Sequence, residues 1–231
     1  MLTTTMNKIT ILQHNIDHWH FGLYNTYRHI DADIILLNHT GLIDNAPLRI
    51  QQYTVYTKNI KNDLHRGTAI AIKSHIRHRI HNDFYTDLLA VTIYSRQRPM
   101  TIATDYIAPN ATYLDTGDYY KLFSRKYPVY LFGNLNAEHK RLLKTSGDNV
   151  VGDALAHMNE KWKILQYLGP DFPTLMRDNC STAPDIALGN LKTFHDLHLA
   201  PGPATASDDH IPVIITISCH AIQKLNPTRR Q

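Results

Sequence analysis

Cysteine is scarce: Cys180 and Cys219 are the two such residues in 231. That excludes a disulfide-stapled scaffold, and the pair reads as two buried free thiols of a reducing compartment. Long apolar runs are also missing. The N-terminus, Met-Leu-Thr-Thr-Thr-Met-Asn-Lys, has no stretch suited to a signal peptide or a membrane span. The chain therefore reads as intracellular, cytoplasmic or nuclear, with no membrane contact. Charge is sparse at 19%, so the surface relies on Asn, Thr, Gln and His. No Pro/Gly-rich linker, repeat or low-complexity segment divides the chain. We expect a single domain over 1–231 with its core at about 8–218. Histidine is plentiful at 15 residues, but these are scattered, and no His/Cys group has the spacing of a zinc site.

Apolar residues make up 43% of the chain, enough for a substantial core. The formal net charge is +4, compatible with a polyanionic partner without requiring one. Short runs rich in Ile, Val, Thr and Tyr predict strands at Ile9–Gln13, Ile34–Leu37, Thr68–Ile72, Leu88–Tyr94, Met100–Asp105, Val129–Phe132, Asp185–Leu188 and Val213–Ile217. Helices are predicted at Gly22–Ile30, Asp115–Lys126 and Asp153–Leu168. The last has Leu155, Met158, Trp162, Leu165 and Leu168 on one face and Gly169-Pro170 as its stop. This mixture predicts an α/β fold of two packed sheets with outer helices. Polar residues gather just beyond several strand ends, where α/β folds build sites.

Those strand ends carry seven short motifs in order. They are Ile11-Leu12-Gln13-His14-Asn15, Asp33-Ile34-Ile35-Leu36-Leu37-Asn38-His39-Thr40, Arg66-Gly67-Thr68-Ala69-Ile70-Ala71-Ile72 and Asp105-Tyr106-Ile107-Ala108-Pro109-Asn110, followed by Gly133-Asn134-Leu135-Asn136-Ala137-Glu138-His139, Ser181-Thr182-Ala183-Pro184-Asp185-Ile186 and Ser207-Asp208-Asp209-His210-Ile211-Pro212-Val213. Each is weak alone, but their order and spacing across nearly the whole chain resemble the endonuclease/exonuclease/phosphatase family. The nearest wording is that of the apurinic-like endonuclease domain of non-LTR retrotransposons. The resemblance implies a four-layered α/β sandwich that cleaves one DNA strand with a divalent metal, usually Mg²⁺.

Two acidic positions of that pattern are substituted. The family's metal-binding Glu is His39 here, and the Asp that orients and deprotonates water is Asn134. Neutral imidazole is a poor ligand for Mg²⁺, and an amide cannot take up a proton at neutral pH. Loss of a general base alone costs about 10²–10⁴-fold. Asp33 matches a non-catalytic acid and cannot substitute, because a one-residue slip would turn it to the other face. The resemblance carries over the remaining roles. Asn15 and Asn136 would orient phosphate or carboxylates, Tyr106 would sit against phosphate, and Asp185 and Asp209 would bracket the site. Asp209 would hold His210, which would stabilise phosphate charge. All eight residues are expected at one end of the sandwich.

The sequence thus reads as a catalytically impaired relative retained as a binding, scaffold or structural protein. It needs no cofactor and no metal, and its partner is nucleic acid, a protein or another copy of itself. His39 reads as a structural, hydrogen-bonded histidine. The rival is an active phosphodiesterase with altered ligation through His39 and Asp209, for which Mg²⁺ or Mn²⁺ would be the cofactor. No reverse transcriptase segment lies within the 231 residues, so the chain is either a stand-alone domain or a fragment. Three other features read as structural. His75–His81 alternates as a solvated strand face, and Tyr113, Tyr119, Tyr120, Tyr127 and Tyr130 pack helix against sheet. Asn226–Gln231 is too short for a nuclear signal.

Overall fold

The computed structural model describes residues 7–19, 23, 27, 30–42, 48–59, 63–96, 98–177, 180–193, 197–203, 209–219 and 222–225. Most of the helix expected at Gly22–Ile30 lies outside these, although Leu23 and Tyr27 are helical. So do Ser207, Asp208, the Asn226–Gln231 tail and the side chain of Cys180. Cys219 is a buried free thiol.

Two mixed six-stranded sheets face each other. The first contains β1 (Asn7–Asn15), β2 (Ile34–Asn38), β3 (Tyr53–Lys58), β4 (Thr68–Lys73), β13 (Leu197–Pro201) and β14 (Val213–Cys219), in the order β13-β14-β1-β2-β4-β3. The second contains β5 (His78–His81), β6 (Leu89–Ile93), β7 (Met100–Thr104), β8 (Val129–Asn134), β9 (Leu165–Gly169) and β12 (Asp185–Asn190), in the order β5-β6-β7-β8-β12-β9. A hairpin of β10 (Leu175–Arg177) and β11 (Cys180–Thr182) stands apart from both.

The central strands are buried on both faces, and their period-2 alternation feeds different cores. Ile9, Ile11, Ile34, Leu36, Ile70 and Ile72 meet Leu89, Val91, Ile102, Tyr130 and Phe132 between the sheets. Their neighbours Leu12, Ile35, Leu37, Ala69 and Ala71 point outward to Leu23 and Tyr27. On the opposite flank Ala103, Val129, Leu131, Ile186 and Leu188 pack under α1 (Thr116–Phe123) and α2 (Val150–Trp162) through Tyr119, Leu122, Leu155 and Met158. The result is the expected α/β sandwich. Asp115 caps α1 by accepting from the Gly117 amide, and Asn149 caps α2 by accepting from Gly152.

The third helix ends earlier than its periodicity implies. Lys163 adopts a left-handed conformation (φ 49°) and closes α2 at Trp162. Leu165 then begins β9, its amide donating to the Asn159 side chain at 2.9 Å. Leu165 and Tyr167 are apolar because they belong to a strand packed on the same core, so the two periods coincide there. Of the tyrosines, Tyr119 and Tyr130 are buried in the cores, whereas Tyr113, Tyr120 and Tyr127 are exposed. The His75–His81 run supplies β5, an edge strand with one solvated face. No helix among the described residues is long and apolar enough to cross a membrane.

Candidate active site

Topology brings the motif residues to one end of the sandwich. β1 and β2 are parallel, as are β7 and β8, while β12 and β14 run antiparallel to β8 and β1. The C-terminal ends of β1, β2, β7 and β8 therefore meet the N-terminal ends of β12 and β14. That places Asn15, His39, Tyr106, Asn134, Asn136, Asp185 and His210 in one neighbourhood. Gly133 permits the close approach of β8 to the end of β7. A Cβ there would lie 2.2 Å from the Asp105 carbonyl oxygen.

The floor of this region is a polar network that joins the two sheets. Gln13 Nε2 donates to Asn38 Oδ1 (3.0 Å) and to Asp185 Oδ1 (2.8 Å). Asn38 Nδ2 donates to Thr104 Oγ1 (2.9 Å) and the Asp105 carbonyl (3.0 Å), while its Oδ1 also accepts from the Asn134 amide (3.2 Å). Thr174 Oγ1 donates to Asp185 Oδ2 at 2.7 Å. Asn38 is fully buried and uses every hydrogen-bonding atom of its amide, as a polar group in a low-dielectric core must. Gln13, Asn38 and Thr174 are not among the residues singled out from the motifs. The signal for the first two is a polar residue at the end of an otherwise apolar strand.

His210 joins this network through its ring. Its Nδ1 meets Asp185 Oδ2 at 3.0 Å, and Asn15 Nδ2 lies 3.2 Å from its Nε2. The tautomer consistent with both contacts has the proton on Nδ1, donated to the carboxylate, and accepts from Asn15 on Nε2. Asp185, not Asp209, therefore holds this imidazole. Asp209 is exposed and pairs with Arg177. Consecutive side chains of an extended segment point to opposite sides, and His210 bridges Leu175 in such a segment. Turning His210 inward turns Asp209 out.

The two positions expected from the resemblance to be substituted look different. Asn134 is fully buried; its Oδ1 accepts from Asn136 Nδ2 at 2.6 Å, and its Nδ2 has no partner. Asn136, held in the left-handed region (φ 45°), also donates to the Ile107 carbonyl at 2.8 Å. This fixes the orientation of both amides, because a reversed Asn134 would bring two N–H groups together. His39, also left-handed at φ 54°, stacks on Tyr106 with ring centroids 4.9 Å apart and an 11° interplanar angle. Its Nδ1 lies 3.3 Å from Asp17 Oδ1, and its Nε2 is buried without a partner. Burial holds the imidazole below the ordinary histidine range; Asp17 opposes this, and His18, His65 and His210 reinforce it. Burial likewise pushes the Tyr106 phenol up to about 12. Behind Tyr106, burial raises the Asp105 carboxyl to about 7, although Oδ2 accepts from Tyr119 and Oδ1 from the Tyr106 amide.

His39 is not isolated. One ring nitrogen from each of His18, His39 and His65 lies within 4.8 Å of the others. Their separations of 21 and 26 residues carry no zinc-site spacing, as the sequence indicates, and it is the fold that brings the three rings together.

This arrangement of two facing mixed sheets is shared with solved structures of endonuclease/exonuclease/phosphatase proteins. The endonuclease domain of TRAS1, a telomere-specific non-LTR retrotransposon, superimposes with a TM-score of 0.71 at 18% identity, covering 94% of this chain and 100% of that one. An endonuclease/exonuclease/phosphatase family protein from Leptotrichia buccalis matches with a TM-score of 0.59 at 12% identity over 90% of this chain and 98% of its own. TDP2 from Caenorhabditis elegans matches at 0.57 and 12%, over 92% of this chain and 75% of its own. At these identities the likeness establishes the fold. No family model and no curated protein matches the sequence.

Proposed function

We propose that this chain is a nuclease-fold protein that does not carry out Mg²⁺-dependent hydrolysis and acts through binding, with nucleic acid as the ligand class. The observation that carries this reading is the orphaned amide nitrogen of Asn134. It lies buried at the position where the family pattern has the second oxygen of a proton-accepting carboxylate. An N–H cannot deprotonate water. The donor set does not fit Mg²⁺ either. The residue at the metal-binding position is an imidazole, and Asp185 has both oxygens engaged by Gln13, Thr174 and His210. Mg²⁺ requires hard oxygen ligands in near-octahedral array, which these groups do not supply. The net charge of +4 and the nuclease fold support a polyanionic ligand.

Incubation of supercoiled plasmid with Mg²⁺ or Mn²⁺ tests the proposal. Wild type should leave the plasmid intact, while retarding DNA in a manner that weakens with salt. The His39→Glu/Asn134→Asp double variant should recover some nicking, and each single change much less, because a base without a metal and a metal without a base both leave water poorly activated. Efficient nicking by the wild type would replace this reading with that of an enzyme of altered ligation. Salt-insensitive or absent DNA binding would remove the nucleic-acid ligand.

A further inference from the structure

We propose that His18, His39 and His65 form a binding site for a transition-metal ion of the Zn²⁺ type, tying together three loops at the edge of the candidate active site. His18 follows β1, His39 follows β2 and His65 precedes β4. The rings already gather: His18 lies 4.7 Å from His39 and 5.7 Å from His65, centroid to centroid, and His39 lies 6.4 Å from His65. With one nitrogen from each within 4.8 Å of the others, a small inward rotation would bring three donors around one ion. Three imidazoles suit Zn²⁺ and its neighbours, which take nitrogen ligands and bind with three protein groups and an open fourth position.

Two further observations support a built site. First, Asp17 Oδ1 lies 3.1 Å from His18 Nδ1 and 3.3 Å from His39 Nδ1. The hydrogen bond that one ring nitrogen of His18 donates to Asp17 fixes that ring's tautomer and makes its other nitrogen a better ligand, and Nε2 of His39 is buried without a partner. Second, the backbone holds the loops in place before any ion arrives. The His18 amide donates to the His39 carbonyl (2.8 Å), Trp19 to Thr40 (2.8 Å), Thr40 to Gly67 (3.1 Å) and Gly41 to Arg66 (3.0 Å). Asp17, His18 and His39 all have positive φ (39°, 79° and 54°), conformations that persist only where the surroundings impose them. Gly41 makes room for the cluster: a Cβ there would lie 2.2 Å from the His18 ring.

The site is a matter of metal binding and is independent of whether hydrolysis survives; plasmid nicking addresses the reading above, and metal titration addresses this one. The metal-free protein is titrated with Co²⁺, whose visible bands report tetrahedral nitrogen coordination, and with ZnCl₂ by calorimetry. One equivalent of each should bind, and Zn²⁺ should raise the melting temperature. Losing a partner of a metal-bound histidine alone weakens affinity about 10–100-fold, so His18→Ala, His39→Ala or His65→Ala should weaken Zn²⁺ binding by about 100-fold or more. His65 is exposed, which makes His65→Ala the variant least apt to disturb folding; circular dichroism checks it. His157→Ala, on the exposed face of α2, should change nothing. Zn²⁺ binding that survives His65→Ala, falls equally with His157→Ala, or is absent from the wild type overturns the proposal.

Discussion

The inner and outer halves of the candidate site differ in how completely their polar groups are satisfied. In the inner half, Gln13, Asn38, Thr174, Asp185 and His210 form a closed network across both sheets. In the outer half, Asn134 Nδ2 and His39 Nε2 are buried and unpartnered. The inner groups hold the sandwich together at this end, so substitution there costs stability. The outer groups are not tied into that network, so their replacement should leave the scaffold standing. The contrast separates a fully hydrogen-bonded polar cluster from neighbours that are only partly satisfied.

The largest expected effect lies in the inner half. Asp185→Ala removes the acceptor of Gln13, Thr174 and His210 together, leaving three donors unsatisfied at a buried place. Each such group costs about 1–3 kcal/mol, so urea unfolding should show a loss of about 3 kcal/mol or more. A loss under about 1 kcal/mol would mean that the network is not the clamp it looks like.

Next in size is a pH effect beneath Tyr106. Burial raises the folded Asp105 carboxyl to about 7 from an ordinary 3.8. Because the folded value is the higher one, the folded state binds the extra proton between these limits. This group's contribution is fully present below about pH 4 and is lost as pH rises through about 7. Wild-type stability should therefore decline across that window by a few kcal/mol relative to Asp105→Asn, which keeps the shape and cannot ionise. Parallel stability profiles for the two proteins would show that Asp105 is ionised in the fold throughout.

The smallest effect belongs to the outer half. Asn134→Ala deletes one accepted hydrogen bond and one unsatisfied N–H, and Asn136 keeps its bond to the Ile107 carbonyl. Its cost should be about 1 kcal/mol, well below that of Asp185→Ala in the same urea titration. Equal costs at the two positions would erase the distinction between inner and outer halves.

Much of the architecture is legible in the residues themselves. Runs such as Ile34–Leu37, Thr68–Ile72 and Val129–Phe132 read as half-buried or fully buried strands, and the structure places buried strands there. The strands Tyr53–Lys58, Leu165–Gly169 and Leu197–Pro201 are less legible. Their polar or helix-compatible patterns acquire meaning only from the neighbours they pair with. The motif residues mark the strand ends that the fold brings to one end of the sandwich, whereas the substitutions at His39 and Asn134 are expectations that rest on the family resemblance alone. What tertiary structure alone decided is partnership. Asp185 rather than Asp209 holds His210, because side-chain direction alternates along an extended segment whose phase no motif reveals. Gln13 and Asn38 become inter-sheet rivets, to Asp185 and to the Asp105 carbonyl, only once two sheets face each other. His18, His39 and His65, scattered in the chain, meet because parallel β1 and β2 and the return through β4 bring three loops to one edge. Such proximity follows from strand order, a long-range property that local residue chemistry does not encode.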